Sequence, residues 1–145
     1  MVLDETARSI HDALCVTRSI VIGRHMLAGG GAPEIEIALR LEEKAQTLKG
    51  TEALCVQEFG RALELVPITL IESSGLNPVD AITELRRLHA QGEKDTGFNV
   101  KKSAIRNMFT DNVVQPLLVT TSAIRLASES VRCILKIDDI VQAVR

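Results

Sequence analysis

The chain has 145 residues, of which 46% are hydrophobic, 25% are charged and only 2% are aromatic. This length can bury the core of one ordinary domain, and the composition excludes a disordered or collagen-like chain. The net charge of −2 offers no basic surface to a phosphate backbone, and scarce aromatic side chains argue against platforms for base stacking. We therefore expect no nucleic-acid partner.

The apolar pattern also argues against membrane insertion and secretion. No uninterrupted apolar run exceeds four residues, whereas a helix needs roughly 20 to cross a bilayer. The first residues are acidic, where a signal peptide would be basic. Three widely spaced cysteines, Cys15, Cys55 and Cys133, are typical of reduced, buried thiols. We therefore expect a cytoplasmic protein without membrane contact and without a metal site.

The first predicted element is a helix over residues 4–23, with Asp4 as its N-cap. Its apolar side recurs at spacings of three and four residues through Leu3, Ala7, Ile10, Leu14, Thr17 and Val21. Glycines then interrupt the pattern, which indicates a connection over residues 24–32.

Three further helices follow in chain order. The second starts at Pro33 and ends at Gly50. The third follows Thr51, and we expect Pro67 to break or kink it. Its predicted apolar stripe is Cys55, Phe59, Ala62, Val66 and Leu70. The fourth begins with Asn77 as N-cap and Pro78 at its first position, and runs to about Gln91.

The last third of the chain changes character twice. Glycine and asparagine punctuate residues 92–112, which predicts turns with one or two short strands. A fifth helix follows Pro116, with an Arg125–Glu129 pair one turn apart. Weak alternation over Ile137–Val141 suggests a terminal strand. The sequence therefore predicts a mainly α fold, a helical bundle with a few short β-strands.

Three stretches carry candidate chemistry, each with a simpler structural alternative. Asp12 lies off the apolar side of the first helix, either as a solvated acid paired with Arg8 or as a carboxylate that orients a water. Gly29, Gly30 and Gly31 form either a turn or a close backbone approach to a ligand. Because Glu34 and Glu36 follow them, such a ligand would turn its sugar or base to the loop, rather than its phosphates.

Asn99 is the third candidate. It either bonds a ribose or base, or satisfies its own turn backbone. The three histidines, His11, His25 and His89, are expected to be partly buried or at the surface.

Taken together, these stretches resemble group II chaperonins of the T-complex type. The resemblance covers essentially the whole chain, in order and without large gaps. It is carried by TARSIHDALCV (6–16), AGGGAPEIE (28–36), GLNP (75–78), VVQPLLV (113–119) and ILKIDDI (134–140). Further stretches most resemble the delta branch of that family: TELR (83–86), HAQGEK (89–94) and GFNV (97–100).

The resemblance implies a place in a known domain arrangement. Residues 1–24 would be the C-terminal helix of an intermediate domain, and residues 25–145 the C-terminal half of an equatorial, ATP-hydrolysing domain. The phosphate- and Mg²⁺-binding loops of the family lie in the other equatorial half. The family works with ATP or ADP and Mg²⁺, but we expect the isolated chain to bind none of them and to be inactive.

The resemblance also implies roles for individual residues. Asp12 matches the aspartate that positions the water attacking the γ-phosphate. Gly30, flanked by Gly29 and Gly31, matches the glycine that lies against the nucleotide. Asn99 matches a ribose-contacting position that is often Asp in the wider family. Implied partners are sibling subunits in stacked rings and unfolded client proteins such as actin and tubulin.

A second hypothesis concerns the chain on its own. With 46% hydrophobic residues it is rich in apolar surface for a small helical domain. As an isolated chain it would be a non-catalytic helical interaction module that self-associates through that surface.

Overall fold

The computed structural model describes residues 1–141, and these form five helices and four short strands. The helices are α1 (Val2–Gly23), α2 (Ala32–Thr47), α3 (Thr51–Ser73), α4 (Pro78–Ala90) and α5 (Leu117–Leu135). The strands are β1 (Met26–Ala28), β2 (Thr96–Asn99), β3 (Ala104–Asn107) and β4 (Val114–Pro116). The predicted mainly α fold with a few short strands is confirmed.

The described chain divides into two compact units. One unit combines Met1–His25 with the described residues from Pro116 onward, so that α1 contacts α5. The other unit is the continuous segment Met26–Gln115. No helix among the described residues is both long and apolar enough to span a membrane.

The core of the continuous unit lies where α2, α3 and α4 meet β2. Its buried side chains are Ile35, Ile71, Ile82, Leu85 and Phe98. A smaller buried cluster joins Ala28 and Ala32 to Met108. The aliphatic side chains expected from the composition therefore form the core, with one phenylalanine among them.

The strands form two pairs in the described chain, β1 with β4 and β2 with β3. The β2–β3 pair is antiparallel, with Thr96 opposite Asn107 and Asn99 opposite Ala104. The predicted strands between residues 92 and 112 are thereby confirmed, whereas the connection predicted over residues 24–32 also contains β1. A strand of three residues is too short to show periodicity in the sequence. Its pairing partner, β4, lies about 90 residues away, so no local pattern indicates the pairing either.

Helix α3 corrects two expectations. Pro67 lies inside α3, which continues to Ser73, so the predicted break is absent; the packing of buried Pro67 beneath Gly31 offsets the backbone hydrogen bond that a proline cannot donate. The buried side of the helix is Gly60, Pro67 and Ile71, one position beyond the predicted stripe, and Phe59 and Val66 are exposed. At Gly60 a Cβ atom would lie 3.4 Å from the Ala38 carbonyl oxygen. Close approach of α2 thus decides which side of α3 is buried.

Helix boundaries elsewhere agree with the sequence apart from the start of α1 and the end of α2, which stops at Thr47, so that Gly50 is the N-cap of α3 and does not end α2. Asn77 caps α4, accepting a 3.2 Å hydrogen bond from the Val79 backbone N–H. Arg125 and Glu129 pair at 3.1 Å on α5, as predicted. Helix α1, however, starts with Met1 as N-cap, and Asp4 lies in its first turn with its carboxylate 2.7 Å from the Met1 amine.

Two further predictions are wrong. Residues 137–141 form no strand, since no neighbouring strand pairs with them in the described chain. Cys15, Cys55 and Cys133 are free thiols, but all three are exposed rather than buried. Each cysteine lies on an exposed side of its helix, and an apolar sequence neighbourhood cannot show this in advance.

Candidate functional site

The glycine triplet lies at the turn between β1 and α2. The Ala32 backbone N–H donates to the Gly29 carbonyl at 3.3 Å, which closes the turn, and the φ values of Gly30 and Gly31 are +65° and +79°. Residues with side chains rarely adopt such angles, so the sequence needs glycine at both positions. Of the three, Gly30 is half-buried and the other two are buried.

These glycines also pack closely against other parts of the same unit. The Phe98 backbone N–H donates to the Gly30 carbonyl at 2.9 Å, and a Cβ on Gly30 would lie 2.6 Å from the Phe98 carbonyl oxygen. Gly29 donates to the Val113 carbonyl at 2.9 Å. The backbone at Gly30 does approach another segment closely, but that segment is β2 of the same chain. Contact of this turn with a ligand stays a prediction.

The turn and Asn99 come together through that contact. Gly30 packs against Phe98, and Asn99 follows Phe98 at the end of β2. Two stretches predicted from separate motifs, about 70 residues apart, thus meet at one point of the continuous unit. This contact could not be predicted from the sequence, because no local pattern in either stretch encodes it.

Asn99 is buried, with 6% of its surface exposed, and its amide is engaged at both ends. Its Oδ1 accepts a 3.2 Å hydrogen bond from the Lys102 backbone N–H, which is the turn role considered from the sequence. Its Nδ2 donates to Asp111 Oδ2 at 2.8 Å. One amide N–H and one carbonyl lone pair remain for a further partner.

Asp111 was not among the predicted site residues. Its carboxylate is 5% exposed and lies 2.5 Å from Lys102 Nζ and 3.6 Å from Arg106 Nε. The hydrogen bond from Lys102 lowers the Asp111 pKa, with Asn99 adding to the effect, and together they outweigh burial, which raises it. Twelve residues separate Asp111 from Asn99, so no helix or turn spacing could have linked them.

The acidic residues after the glycine triplet differ in environment. Burial raises the pKa of the Glu34 carboxyl, in the first turn of α2. Burial also raises the Glu36 pKa, but hydrogen bonds from His89 and Arg40 outweigh it, so the Glu36 pKa lies below its ordinary value. The negative charge expected at this helix start is therefore partly neutralised at Glu36 by its partners.

His89 is the partner that the sequence did not reveal. Its side chain is 0% exposed, contrary to the expectation of a partly buried or surface histidine. Nδ1 lies 3.2 Å from Glu36 Oε2, and Nε2 lies 2.8 Å from the Thr96 carbonyl oxygen. His89 thereby links α4 to α2 and to the first residue of β2.

Asp12 lies in the other unit, on α1. Its carboxylate is 73% exposed and lies 3.9 Å from His11 Nδ1. The expected pairing with Arg8 is wrong, since Arg8 lies 3.3 Å from Glu5. Asp12 is thus a solvated carboxylate on a helix that contains no buried residue.

Concave surfaces and acidic clusters add no further site residues. A groove of about 270 Å³ runs between α2 and the end of α4; Glu36 and His89 border it, but Asp12, the glycine triplet and Asn99 do not. Among the described residues no three His, Cys, Asp or Glu side chains are grouped so that they could hold a metal ion.

Comparison with known proteins places these features in a family. The model of the TCP-1/cpn60 chaperonin family matches residues 1–145. T-complex protein 1 subunit delta of Ochlerotatus triseriatus is 58% identical over 100% of this chain and 27% of its own length. The human and Arabidopsis thaliana subunits of that name are 58% and 59% identical over 97% of the chain, which covers 26% of each.

A solved structure agrees with these sequence matches. The open-state monomer of a group II chaperonin from Methanococcoides burtonii superposes with a TM-score of 0.85 at 40% identity, covering 94% of this chain and 34% of that one. The chain spans about a quarter of the length of the curated relatives it matches. It belongs to the TCP-1/cpn60 chaperonin family.

Proposed function

We propose that this chain is a segment of a subunit of an ATP-dependent cytosolic chaperonin, which assists the folding of other proteins such as actin and tubulin. The observation that carries the proposal is the family match over all 145 residues, with 58% identity to a subunit named T-complex protein 1 subunit delta. In this proposal residues 1–24 belong to an intermediate domain and residues 25–145 to an equatorial domain. Sibling subunits in stacked rings and unfolded clients are the partners.

Within such a subunit we assign two tasks to this chain. Gly30 is the half-buried member of its turn and Asn99 retains one N–H and one lone pair, which suits the sugar side of a nucleotide. Asp12 is an exposed carboxylate on a helix, able to accept a hydrogen bond from a water and hold it for attack. Bound ATP supplies the phosphate that is attacked, and loops outside this chain supply its phosphate contacts.

The test of the Asp12 role uses the full-length subunit in its assembled complex. Asp12→Asn should leave nucleotide binding intact and slow hydrolysis by about 10²–10⁴-fold, the usual contribution of a positioned acid–base group. Glu5→Gln is the matched control, since Glu5 is an exposed carboxylate on the same helix. Phosphate release and nucleotide affinity are measured for both. Hydrolysis by Asp12→Asn at the parental rate would remove Asp12 from the mechanism.

A second function is favoured for the chain in isolation, as a non-catalytic helical module that self-associates. The observation is a set of exposed aliphatic side chains on α1 and α5, where Leu14, Leu126 and Ile134 are 65%, 61% and 65% exposed. Soluble monomers rarely leave many large aliphatic side chains exposed together, and a partner usually covers such a surface. A second copy of the chain is the partner available when the rest of a subunit is absent.

A further inference from the structure

His89 is enclosed at the end of α4, and both nitrogens of its ring face oxygen atoms. Its side chain is 0% exposed. Nε2 lies 2.8 Å from the Thr96 carbonyl oxygen, and Nδ1 lies 3.2 Å from Glu36 Oε2. A carbonyl oxygen can only accept a hydrogen bond, so Nε2 must carry a proton. The number of protons on the ring therefore depends on Nδ1, and hence on the state of Glu36.

Glu36 is an ionised carboxylate in this arrangement. Its Oε1 accepts a hydrogen bond from Arg40 Nε at 3.2 Å, and its side chain keeps 22% of its surface in contact with solvent. A carboxylate beside a guanidinium and water is ionised at neutral pH, and it can only accept hydrogen bonds. Either neutral form of the His89 ring would leave a nitrogen lone pair facing an oxygen, at 3.2 Å in one tautomer and at 2.8 Å in the other. Only the ring with both protons satisfies both contacts.

The remaining charged groups around the ring do not oppose a second proton. From the connection before β2, Glu93 accepts a 3.2 Å hydrogen bond from the hydroxyl of the first β2 residue, which adds a second carboxylate on that side. Lys94 borders the same groove as the His89 ring. Arg87, two positions earlier on α4, is paired at 2.7 Å with a glutamate of the same helix. Carboxylates therefore face the ring from both α2 and this connection.

We infer that His89 is held as an imidazolium, a buried cation whose two N–H groups join the end of α4 to α2 and to the start of β2. The strand is bonded a second time where the Phe98 N–H donates to the Gly30 carbonyl at 2.9 Å, just before α2. Loss of the Nδ1 proton would break the link to α2 and leave the link to Thr96, so the joint between the three elements depends on one proton. The inference concerns the fold and holds whether or not the subunit binds a nucleotide.

The test uses the full-length subunit labelled with ¹⁵N at histidine. The NMR shifts of the two ring nitrogens, detected through the carbon-bound ring protons, distinguish the imidazolium from either neutral tautomer. Spectra are recorded at about pH 7.5, about one unit above the ordinary histidine value, where a solvated histidine is about nine-tenths neutral. We expect both nitrogens of His89 to be protonated there. The signals are assigned by their loss in His89→Gln or, if that variant does not fold, by replacing the other histidines one at a time.

Glu36→Gln should leave one proton on the ring, at Nε2. The amide that it introduces can donate to Nδ1, and it no longer balances a buried cation. Glu43→Gln is the matched control, because Glu43 is bonded to the same Arg40 on α2 but is 66% exposed. In that variant His89 should keep both protons.

Two results would overturn the inference. One is a single proton on His89 in the parental subunit at this pH, on either nitrogen. The other is a ring that keeps both protons in Glu36→Gln, since the carboxylate would then not be what holds the cation. If Glu36→Gln does not fold, the parental spectrum decides alone.

Discussion

Gly30 has a φ of +65° and faces the backbone of Phe98, so a side chain at this position meets two obstacles. The left-handed conformation is strained for any residue with a Cβ, and the Cβ would lie 2.6 Å from the Phe98 carbonyl oxygen. Backbone atoms cannot move aside as the end of a flexible side chain can. The glycine is therefore required by the fold, whether or not a nucleotide also contacts it.

We predict that Gly30→Ala lowers the free energy of unfolding by about 2–4 kcal/mol, combining backbone strain with overpacking. Gly75→Ala is the matched control, since Gly75 has a φ of +81° and open space around its Cβ direction. It should cost only about 1–2 kcal/mol from strain. Urea unfolding measures both, and equal losses would show that the contact with Phe98 contributes nothing.

At the scale of elements, the helices were largely predictable and their buried sides were not. Asn77-Pro78 and Pro116 mark helix starts through chemistry local to the backbone, and both helices begin where predicted. The buried side of α3 depends instead on how closely α2 approaches Gly60. Helical spacing shows which residues share a side, but a partner helix selects the side that is covered.

The Glu36–His89 pair joins α2 to α4, and it predicts a pH dependence. The Glu36 pKa is lowered in the fold, so the pair stabilises above the unfolded pKa of about 4.5, and this stabilisation is lost as the pH falls through the folded pKa. Glu36→Gln should therefore reduce stability at neutral pH and remove part of the loss below pH 4.5.

Unfolding midpoints measured in urea between about pH 3 and 7 check this. Glu43→Gln is the control, because Glu43 also bonds Arg40 but is 66% exposed and does not contact His89. If the unfolding midpoints of both variants depend on pH as those of the parental chain do, the Glu36–His89 pair has no part in the acid sensitivity of the chain.

For the whole molecule, the exposed aliphatic side chains of α1 and α5 lead to a prediction about association. The isolated chain should be helical and should form dimers or larger species at micromolar concentration, because a second copy can cover this surface. Leu126→Gln combined with Ile134→Gln should shift it toward the monomer. The same change at Arg125 and Arg132, exposed on the same helix, should not.

Light scattering over a hundredfold range of concentration measures the association, with circular dichroism as the check on folding. A helical chain that stays monomeric throughout would contradict the self-association hypothesis. Loss of helicity in the parental chain would show instead that the core needs residues beyond this segment.

By itself, the sequence determined the helical character, most helix boundaries and the family, since capping, periodicity and motif order are encoded by neighbouring residues. Only the tertiary structure decided which sides of the helices are buried and that the glycine turn lies against β2. It alone also showed the Asp111 contact to Asn99 and the burial of His89. These features join residues 12 to about 70 positions apart, and such distant pairs are set by packing and charge compensation, which no local pattern records.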